Sequence, residues 1–280
     1  MSEPVDQFEH VRSEPDPLRQ AKLASELIAL YQQRSVELAR LRKEAINRAA
    51  AERGISYSRI AAELGLTRGR ITQIRQTAPP AERAFFGVGP VTVAVPLRQL
   101  PGRALPVISS EDTRAAERLS KLLTDLSFHV EQFRIPPDGR WQPRNDAAAI
   151  CGPKSSPVTA EAISTDPYLM FEPDQSGKWT IRERDGSRVY ESPMDDKTTQ
   201  RWSDVAYVAR LSLPGNGPTF VVIAGVHALG SVGAVDYLAR NLPDLYAQVG
   251  TRPFSMVVAS DHDGETVTRS EPLCAPRVHD

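Results

Sequence analysis

The sequence predicts a two-domain protein in which an all-α amino-terminal domain precedes a larger α/β domain. Residues 18–53 place leucines at helical spacing with no internal Gly or Pro. Residues 91–280 instead alternate short apolar runs with amphipathic stretches, which is the pattern of an α/β protein. Between them, residues 77–90 contain three prolines and two glycines that interrupt any periodicity. The domain boundary is therefore predicted within this linker.

The composition is that of an ordinary folded protein, with a formal net charge of −1, 40% hydrophobic residues and 25% charged residues. No apolar run approaches the roughly 20 residues that a membrane span needs, and the amino terminus has no signal-peptide pattern. We therefore expect a cytoplasmic protein without membrane contacts. Cys151 and Cys274 lack metal-ligand spacing, and the acids of 192–196 and Asp204 lack companion histidines. Neither a disulfide, a metal nor a cofactor is predicted.

The first part of the chain predicts a disordered lead and then a helix. Residues 1–17 are polar, acidic and proline-containing, which favours disorder. Residues 18–53 predict one long helix or two, ended by Gly54, whose second half packs on the helices that follow. A leucine stripe in its first half has no partner within so small a domain. The stripe either pairs between the subunits of a homodimer or caps the carboxy-terminal domain, and its members are Leu23, Leu27 and Leu30.

Residues 56–76 predict two short helices joined by a tight turn, which is a helix-turn-helix. Gly65 stands where the backbone must turn, because glycine adopts the left-handed conformation without steric cost. Thr67 is suited to cap the second helix. The apolar residues expected to form a shared core are Ile60, Ala61, Leu64, Leu66, Ile71 and Ile74.

The outward side chains of this helix pair predict contact with double-stranded DNA. Residues 37–76 carry a net charge of +5, whereas residues 91–280 carry −4, so the positive charge is concentrated at the motif. The alternative is a purely structural helical hairpin, which usually exposes charges of both signs. The residues predicted to contact phosphates or base edges are Ser56, Thr67, Arg68, Arg70, Thr72, Gln73 and Arg75.

The segment Leu-Gly-Leu-Thr-Arg-Gly-Arg-Ile-Thr-Gln-Ile-Arg at 64–75 resembles the recognition segment of bacterial sigma factor region four and of one-component regulators with the same helix-turn-helix. The resemblance covers about forty of the 280 residues. It differs at Gly69, where that family usually has an acid, and nothing else of a sigma factor is present. The resemblance implies that the second helix reads the major groove with Thr67, Arg68, Arg70 and Gln73.

The carboxy-terminal domain is predicted to be Rossmann-like, with a mostly parallel sheet and an inserted hairpin. The hairpin is expected at 178–190, around the turn residues Asp185-Gly186. The polar end of the chain, with Asp261, His262, Asp263, His279 and Asp280, suits an exposed tail. Strands are predicted at 91–95, 128–135, 147–151, 205–213, 219–224 and, as the last, 254–259, with a turn at 214–217 and helices at 112–126 and 231–249.

Two glycine-containing loops are predicted to bind a small molecule, because each leads from a strand into a helix. In the first loop, a glycine, two serines and a lysine beside the free N–H groups of a helix start suit an anion such as a phosphate. In the second loop, three glycines let a ligand approach the backbone closely. Neither loop has the Gly-Lys-Ser/Thr ending of a Walker A motif or the G-x-G-x-x-G fingerprint. Alternatively, the glycines only make tight turns. The candidate ligand-binding residues are Gly152, Lys154, Ser155 and Ser156 in the first loop and Gly225, His227, Gly230 and Ser231 in the second.

These features predict a DNA-binding transcriptional regulator whose α/β domain senses a nucleotide-like or phosphorylated effector. One alternative is an enzyme, because the order of elements over 91–161 resembles the deoxyribosyltransferase and TIR-like group. That resemblance implies cleavage of an N-glycosidic bond by Ser156 and Glu161, with the helix-turn-helix as a targeting module. Another alternative is an interaction module that presents the helix-turn-helix to a protein partner.

Overall fold

The computed structural model describes residues 4–198, 202–213 and 217–279. The chain forms two compact units. The helical unit comprises Met1–Pro79 with Val88–Pro90, and the α/β unit comprises Pro80–Gly87 with Val91–Asp280. The predicted linker at 77–90 is therefore largely incorporated into folded structure. A 3-10 helix at Ala81–Phe86 places Phe85 and Phe86 in the core of the α/β unit. Burial of these aromatic side chains stabilises the folded state, whereas a solvated linker would leave them in water.

Among the described residues, the helical unit has four helices: α1 (Pro4–Ser13), α2 (Pro17–Arg53), α3 (Tyr57–Glu63) and α4 (Arg68–Thr77). The first helix corrects the prediction of a disordered lead over 1–17 for the part of that segment that the structure describes. It folds because the Phe8 ring stacks on Tyr31 of α2, with 5.6 Å between ring centroids, and the Gln20 amide donates to the Val11 carbonyl. One long helix follows, capped by the Asp16 carboxylate at its start.

Helix α2 ends at Gly54, which has a φ of +60°, and its second half packs on α3 and α4 as predicted. The shared core contains Ile46, Ile60, Ala61, Ile71 and Ile74. Two predicted core residues lie outside it. Leu64 is 52% exposed and Leu66 is 36% exposed, because both belong to the turn between the two short helices.

In its described part, the α/β unit contains one large mixed sheet and one small antiparallel sheet. Its elements in chain order are β1 (Val91–Pro96), α5 (Ser110–Asp125), β2 (Val130–Ile135), β3 (Asp146–Ala149), α6 (Pro157–Ser164), β4 (Leu169–Pro173), β5 (Trp179–Glu183), β6 (Val189–Tyr190), β7 (Ser203–Ser212), β8 (Thr219–Gly225), α7 (Ala228–Val249), β9 (Phe254–Asp263), β10 (Thr266–Pro272) and β11 (Arg277–Val278).

The strand order of the large sheet is β10-β9-β7-β8-β3-β1-β2, with β11 also paired to β9. Neighbours among β2, β1, β3 and β8 are parallel. Strand β7 is inserted antiparallel between β8 and β9, and β10 and β11 are antiparallel to β9. The sheet is therefore mixed, and its parallel arrangement is confined to one half. The predicted hairpin at 178–190 is present as β5 and β6, and β4 adds a third strand.

The large sheet separates two apolar cores. Successive strand residues point to opposite faces, so Val93 contributes to one core and Ala94 to the other. Helices α5 and α7 supply the first core, whereas α6 and the small sheet supply the second. The elements packed on both faces of the sheet therefore hold the loops beyond the carboxyl ends of the parallel strands in place.

The end of the chain is not the exposed tail that its polarity predicts. Strand β9 extends to Asp263, and β10 and β11 follow it, so 254–259 is not the last strand. His262 is buried and contacts the hydroxyl of Ser260, with 2.9 Å between Oγ and Nε2. Asp280 and most of the predicted turn at 214–217 lie outside the described residues. Within the described part of the chain, no helix is long and apolar enough to cross a membrane.

Candidate functional site

The two short helices of the helical unit are fixed by local caps. The Ser56 hydroxyl accepts from the Arg59 N–H at 3.3 Å, and the Thr67 hydroxyl accepts from the Arg70 N–H at 3.1 Å. Gly65 has a φ of +65°, as the predicted turn requires. These contacts set the direction in which α4 leaves the turn, and therefore which of its side chains face solvent.

The exposed face of α4 carries cationic and amide side chains. Arg68, Arg70, Thr72 and Gln73 are exposed. The Arg70 guanidinium donates to the Gln73 amide oxygen at 2.6 Å, and the Thr72 hydroxyl donates to the Arg68 carbonyl at 3.2 Å. Among the described residues, no hydrogen bond or ion pair engages the Arg68 guanidinium. Among the described residues, the face therefore presents the Arg68 guanidinium without a protein partner and the Arg70 guanidinium hydrogen-bonded to the Gln73 amide.

Arg75 differs from the other predicted DNA-contacting residues because its side chain is engaged within the unit. Its Nε donates to the Asn47 side chain of α2 at 3.0 Å, and its guanidinium lies 4.0 Å from the centroid of the Tyr57 ring. The position of this side chain ties α4 to both α2 and α3. Arg75 therefore orients α4, and its guanidinium can bind a phosphate only if it gives up its contacts with Asn47 and Tyr57.

In the α/β unit, the structure brings the two predicted ligand loops together. Strands β3 and β8 are adjacent and parallel, so their carboxyl ends lie at the same edge of the sheet. A Cβ atom added at Gly152 would lie 3.8 Å from the Cβ of Ala224. The loop after β3 and the loop after β8 are therefore neighbours, which is the arrangement that a shared small-molecule site needs.

The loop after β3 uses one of its predicted residues for structure. Ser156 is buried, and its hydroxyl caps α6 by accepting from the Thr159 N–H at 3.4 Å. The same hydroxyl accepts from the Trp141 indole and donates to the Gly139 carbonyl. Lys154 is exposed and Ser155 is partly exposed. A ligand at this loop would therefore meet Lys154 and Ser155 but not the Ser156 hydroxyl.

The loop after β8 is already occupied by an anion of the protein itself. Asp204, a buried residue of β7, accepts from the backbone N–H of His227 at 3.0 Å and of Gly230 at 2.6 Å. The Gly225 N–H donates to the Ser231 hydroxyl at 3.0 Å. The N–H groups of this loop are therefore engaged within the protein, and the ionised carboxylate would repel an anionic ligand. Ligand binding at this loop stays a prediction.

The glycines near the start of α7 serve close packing. A Cβ atom at Gly225 would lie 2.0 Å from the His227 carbonyl oxygen, and one at Gly230 would lie 2.5 Å from the Val205 carbonyl oxygen. Gly233 similarly admits Ser260 of β9, since a Cβ atom there would lie 2.1 Å from the serine Cβ. Tight turns and close packing therefore explain the glycines at these positions better than the approach of a ligand to the backbone does.

Burial raises the pKa of Asp204 to about 6, although the hydrogen bonds from Ser192 and from backbone N–H groups oppose this rise. The carboxylate nevertheless has several donors when it is ionised. Desolvation and hydrogen bonding thus shift the pKa of this side chain in opposite directions. The charge that closes the start of α7 is therefore sensitive to pH near neutrality.

His227 contacts Asp195, one of the acids of 192–196 for which the sequence indicates no companion histidine. Its Nε2 lies 2.9 Å from an Asp195 carboxylate oxygen, and Lys178 lies 3.7 Å from the other oxygen of that carboxylate. The imidazole is 42% exposed. The two partners are 32 residues apart in the chain, so no local spacing could have predicted the pair.

The residues proposed for an N-glycosidic enzyme do not form a joint site. Ser156 is buried at the start of α6, with its hydroxyl engaged as described, whereas Glu161 is exposed on the same helix. No group of three or more metal-ligating side chains occurs among the described residues. The two cysteines are free, and burial raises the pKa of the Cys151 thiol to about 12, which makes it a poor nucleophile.

No protein-family model, curated protein or solved structure shows a significant match to this chain. Its function must therefore be inferred from the chemistry of its own residues.

Proposed function

We propose that this protein is a DNA-binding transcriptional regulator in which α3 and α4 act as a helix-turn-helix. The observation that carries the proposal is the exposed face of α4, which holds Arg68, Arg70 and Gln73 and no acid. The nearest acid of α3, Glu63, pairs with Arg59 at 3.0 Å. A face with cations and an amide, on a helix fixed by caps and a small core, suits phosphates and base edges.

In this proposal, the first turn of α4 enters the major groove of double-stranded DNA. Arg68 and Arg70 contact guanine edges or phosphates, and Gln73 contacts an adjacent base. Ser56 and Thr67 stand at helix starts, where N–H groups favour phosphate oxygens. Thr72 contacts the DNA backbone, and Arg75 positions the helix.

We further propose that the α/β unit binds a nucleotide-like or phosphorylated effector at the loop after β3. Lys154 and Ser155 supply a cation and a hydroxyl there, and the neighbouring Asp204 carboxylate keeps phosphate away from the start of α7. An effector changes DNA affinity only if it binds one conformation better than another. The partners are therefore DNA, the effector and, for a paired operator, a second copy of the chain.

The test is binding of the full chain to short duplexes of varied sequence, measured by fluorescence anisotropy at several salt concentrations. Several phosphate contacts predict a loss of affinity of about 10- to 100-fold between about 50 and 200 mM salt. Arg68→Ala should lower discrimination between the best and the average sequence by about 1–3 kcal/mol.

The matched control is Lys22→Ala, which removes one exposed charge from the amino-terminal half of α2. It should leave sequence discrimination unchanged. Binding that is absent at low salt, or that responds equally to both substitutions, would contradict the proposed function.

A further inference from the structure

The parallel half of the large sheet has a crevice at the carboxyl ends of β1 and β3. These two strands are adjacent and parallel, but the helices that follow them pack on opposite faces of the sheet. The loop 97–109 leads to α5 on one face, and the loop 150–156 leads to α6 on the other. In open α/β sheets, small ligands bind where neighbouring loops diverge in this way. We name the space between the two loops the β1–β3 crevice.

The loop after β1 is closed at its base by backbone hydrogen bonds. The N–H of Arg98 donates to the Val107 carbonyl at 2.8 Å, and the N–H of Val107 donates to the Arg98 carbonyl at 3.0 Å. The Leu97 N–H donates to the carbonyl of Ile135, the last residue of β2, at 2.8 Å. These bonds hold the backbone of Arg98 at the carboxyl edge of the sheet.

A buried carboxylate orients the Arg98 side chain. The guanidinium donates to an Asp112 carboxylate oxygen at 2.7 Å, and the exposed fractions of the two side chains are 44% for Arg98 and 3% for Asp112. Burial raises the pKa of Asp112, and the Arg98 charge opposes that rise. A guanidinium has five N–H donors, so a half-exposed one that spends a single donor on a carboxylate can still bind a ligand.

The opposite wall of the crevice belongs to the loop after β3, which includes Cys151, Lys154 and Ser155. Burial is the main cause of the raised pKa of the Cys151 thiol, but the charges of Asp112 and Arg98 also act on it. Both charged side chains therefore lie near the start of this loop. Lys154 is exposed, and among the described residues no hydrogen bond or ion pair engages its ammonium group. Each wall of the crevice thus carries a cation.

We propose that the β1–β3 crevice binds the phosphate group of a small phosphorylated molecule, with Arg98 and Lys154 as its cationic contacts. Arg98 supplies a planar set of N–H groups that matches phosphate oxygens, and Lys154 supplies a compact charge. The inference rests on the proposed effector-binding function. It deepens that function by adding Arg98 and the loop after β1 to a site that otherwise consists of Lys154 and Ser155.

The test measures the binding of inorganic phosphate and of adenosine monophosphate to the full chain, without DNA, by isothermal titration calorimetry. Inorganic phosphate makes only the anion contacts, so its Kd should be on the order of 1 mM, and adenosine monophosphate should bind more tightly. Arg98→Ala and Lys154→Ala should each weaken nucleotide binding by about 10-fold, since each removes a charge-assisted contact. Inorganic phosphate that binds as tightly as the nucleotide would overturn the assignment to a phosphorylated molecule.

The matched control is Arg103→Ala, which removes an exposed cation from the same loop and should bind the nucleotide like wild type. Arg98→Ala leaves the buried Asp112 carboxylate without its cation, which destabilises a fold. The double variant Arg98→Ala with Asp112→Asn removes both charges. It should keep the wild-type helix content in circular dichroism and bind the nucleotide as weakly as Arg98→Ala. Wild-type affinity in the double variant, or an equal loss in Arg103→Ala, would contradict the site.

His227→Ala distinguishes this crevice from the neighbouring one between β3 and β8. Weaker nucleotide binding in Lys154→Ala and His227→Ala, with no change in Arg98→Ala, would overturn the inference and leave the proposed effector site at the loop after β3. Arg68→Ala should keep nucleotide binding and lose discrimination between DNA sequences. A protein that binds the nucleotide through Arg98 but never binds DNA would contradict the proposed regulator alone. DNA binding without any phosphate or nucleotide binding would contradict the crevice site.

Discussion

The starts of α4 and α7 are built from similar sequence elements but differ in what they leave available. Each follows a turn that contains glycine, and each has hydroxyl-bearing residues nearby. At α4, Thr67 provides the cap and the side chains beyond it face solvent. At α7, the buried Asp204 carboxylate takes the N–H groups of His227 and Gly230. Tertiary structure therefore decides whether a helix start is available to a ligand.

The largest expected effect on stability comes from removing the Asp204 carboxylate, which accepts the N–H groups at the start of α7. Asp204→Ala removes the acceptor for the N–H groups of Val205, His227 and Gly230, and should lower the free energy of unfolding by about 3 kcal/mol. Urea denaturation followed by circular dichroism measures the change. Asp244→Ala, on the exposed face of α7, should stay within about 0.5 kcal/mol of wild type. Equal stability of both variants would show that Asp204 does not hold this helix.

The start of α4 should respond less to loss of its cap. Thr67→Ala leaves the Arg70 N–H to water, so the expected cost is about 1 kcal/mol. Thr67→Ser keeps a hydroxyl and should retain most of the stability. Thermal denaturation of the three proteins provides the measurement, and a serine variant as unstable as the alanine variant would refute the capping role.

The charge at the start of α7 should also appear in the pH dependence of stability. Because the pKa of Asp204 is raised to about 6, the stabilisation linked to its protonation is complete below the unfolded-state pKa of 3.8 and is lost as pH rises through about 6. The backbone hydrogen bonds to its oxygens persist in the ionised form. Asp204→Asn has no such dependence. Between pH 5 and 7 the wild type should therefore lose about 1 kcal/mol relative to the variant. A constant difference between the two denaturation profiles would indicate an ordinary pKa.

The smallest expected effect comes from a substitution at Gly69 of α4, whose stability and DNA affinity should change in opposite directions. Gly69 has ordinary helical space around it, since an added Cβ atom would lie 3.9 Å from its nearest neighbour, the Thr67 hydroxyl. Gly69→Ala should therefore raise the free energy of unfolding by about 0.5 kcal/mol. If DNA approaches this turn closely, the same variant should bind DNA less tightly in an anisotropy titration. Stronger binding would show that Gly69 only loosens the helix.

From α2 onwards, the helical unit could be predicted closely because its signals are local. Gly54 and Gly65 both have a positive φ, and Thr67 caps α4, as the residue types indicate. The apolar spacing also gave the core, apart from Leu64 and Leu66. Those two side chains belong to the turn, where helical periodicity does not determine which side is buried.

Most strands of the α/β unit could also be predicted, but β4, β10 and β11 and the partners of the strands could not. Asp204 and Gly230 lie 26 residues apart and meet only because β7 is inserted beside β8. Nothing in the local sequence of Asp204 indicates that its carboxylate will be buried against a helix start. Both candidate loops follow strands, as expected, whereas the chemistry of the second loop depends on a distant residue. Their role in ligand binding stays a prediction.

The 3-10 helix at Ala81–Phe86 determines where the chain should be divided for separate study of the α/β unit. Phe85 packs on Phe254, with 5.6 Å between ring centroids, and Phe86 packs on Phe128 at 6.4 Å. A recombinant fragment that starts at Val91 would lack both aromatic side chains and expose the surfaces they cover. A fragment that starts at Pro80 would retain them, and it is the better choice for an effector-binding screen.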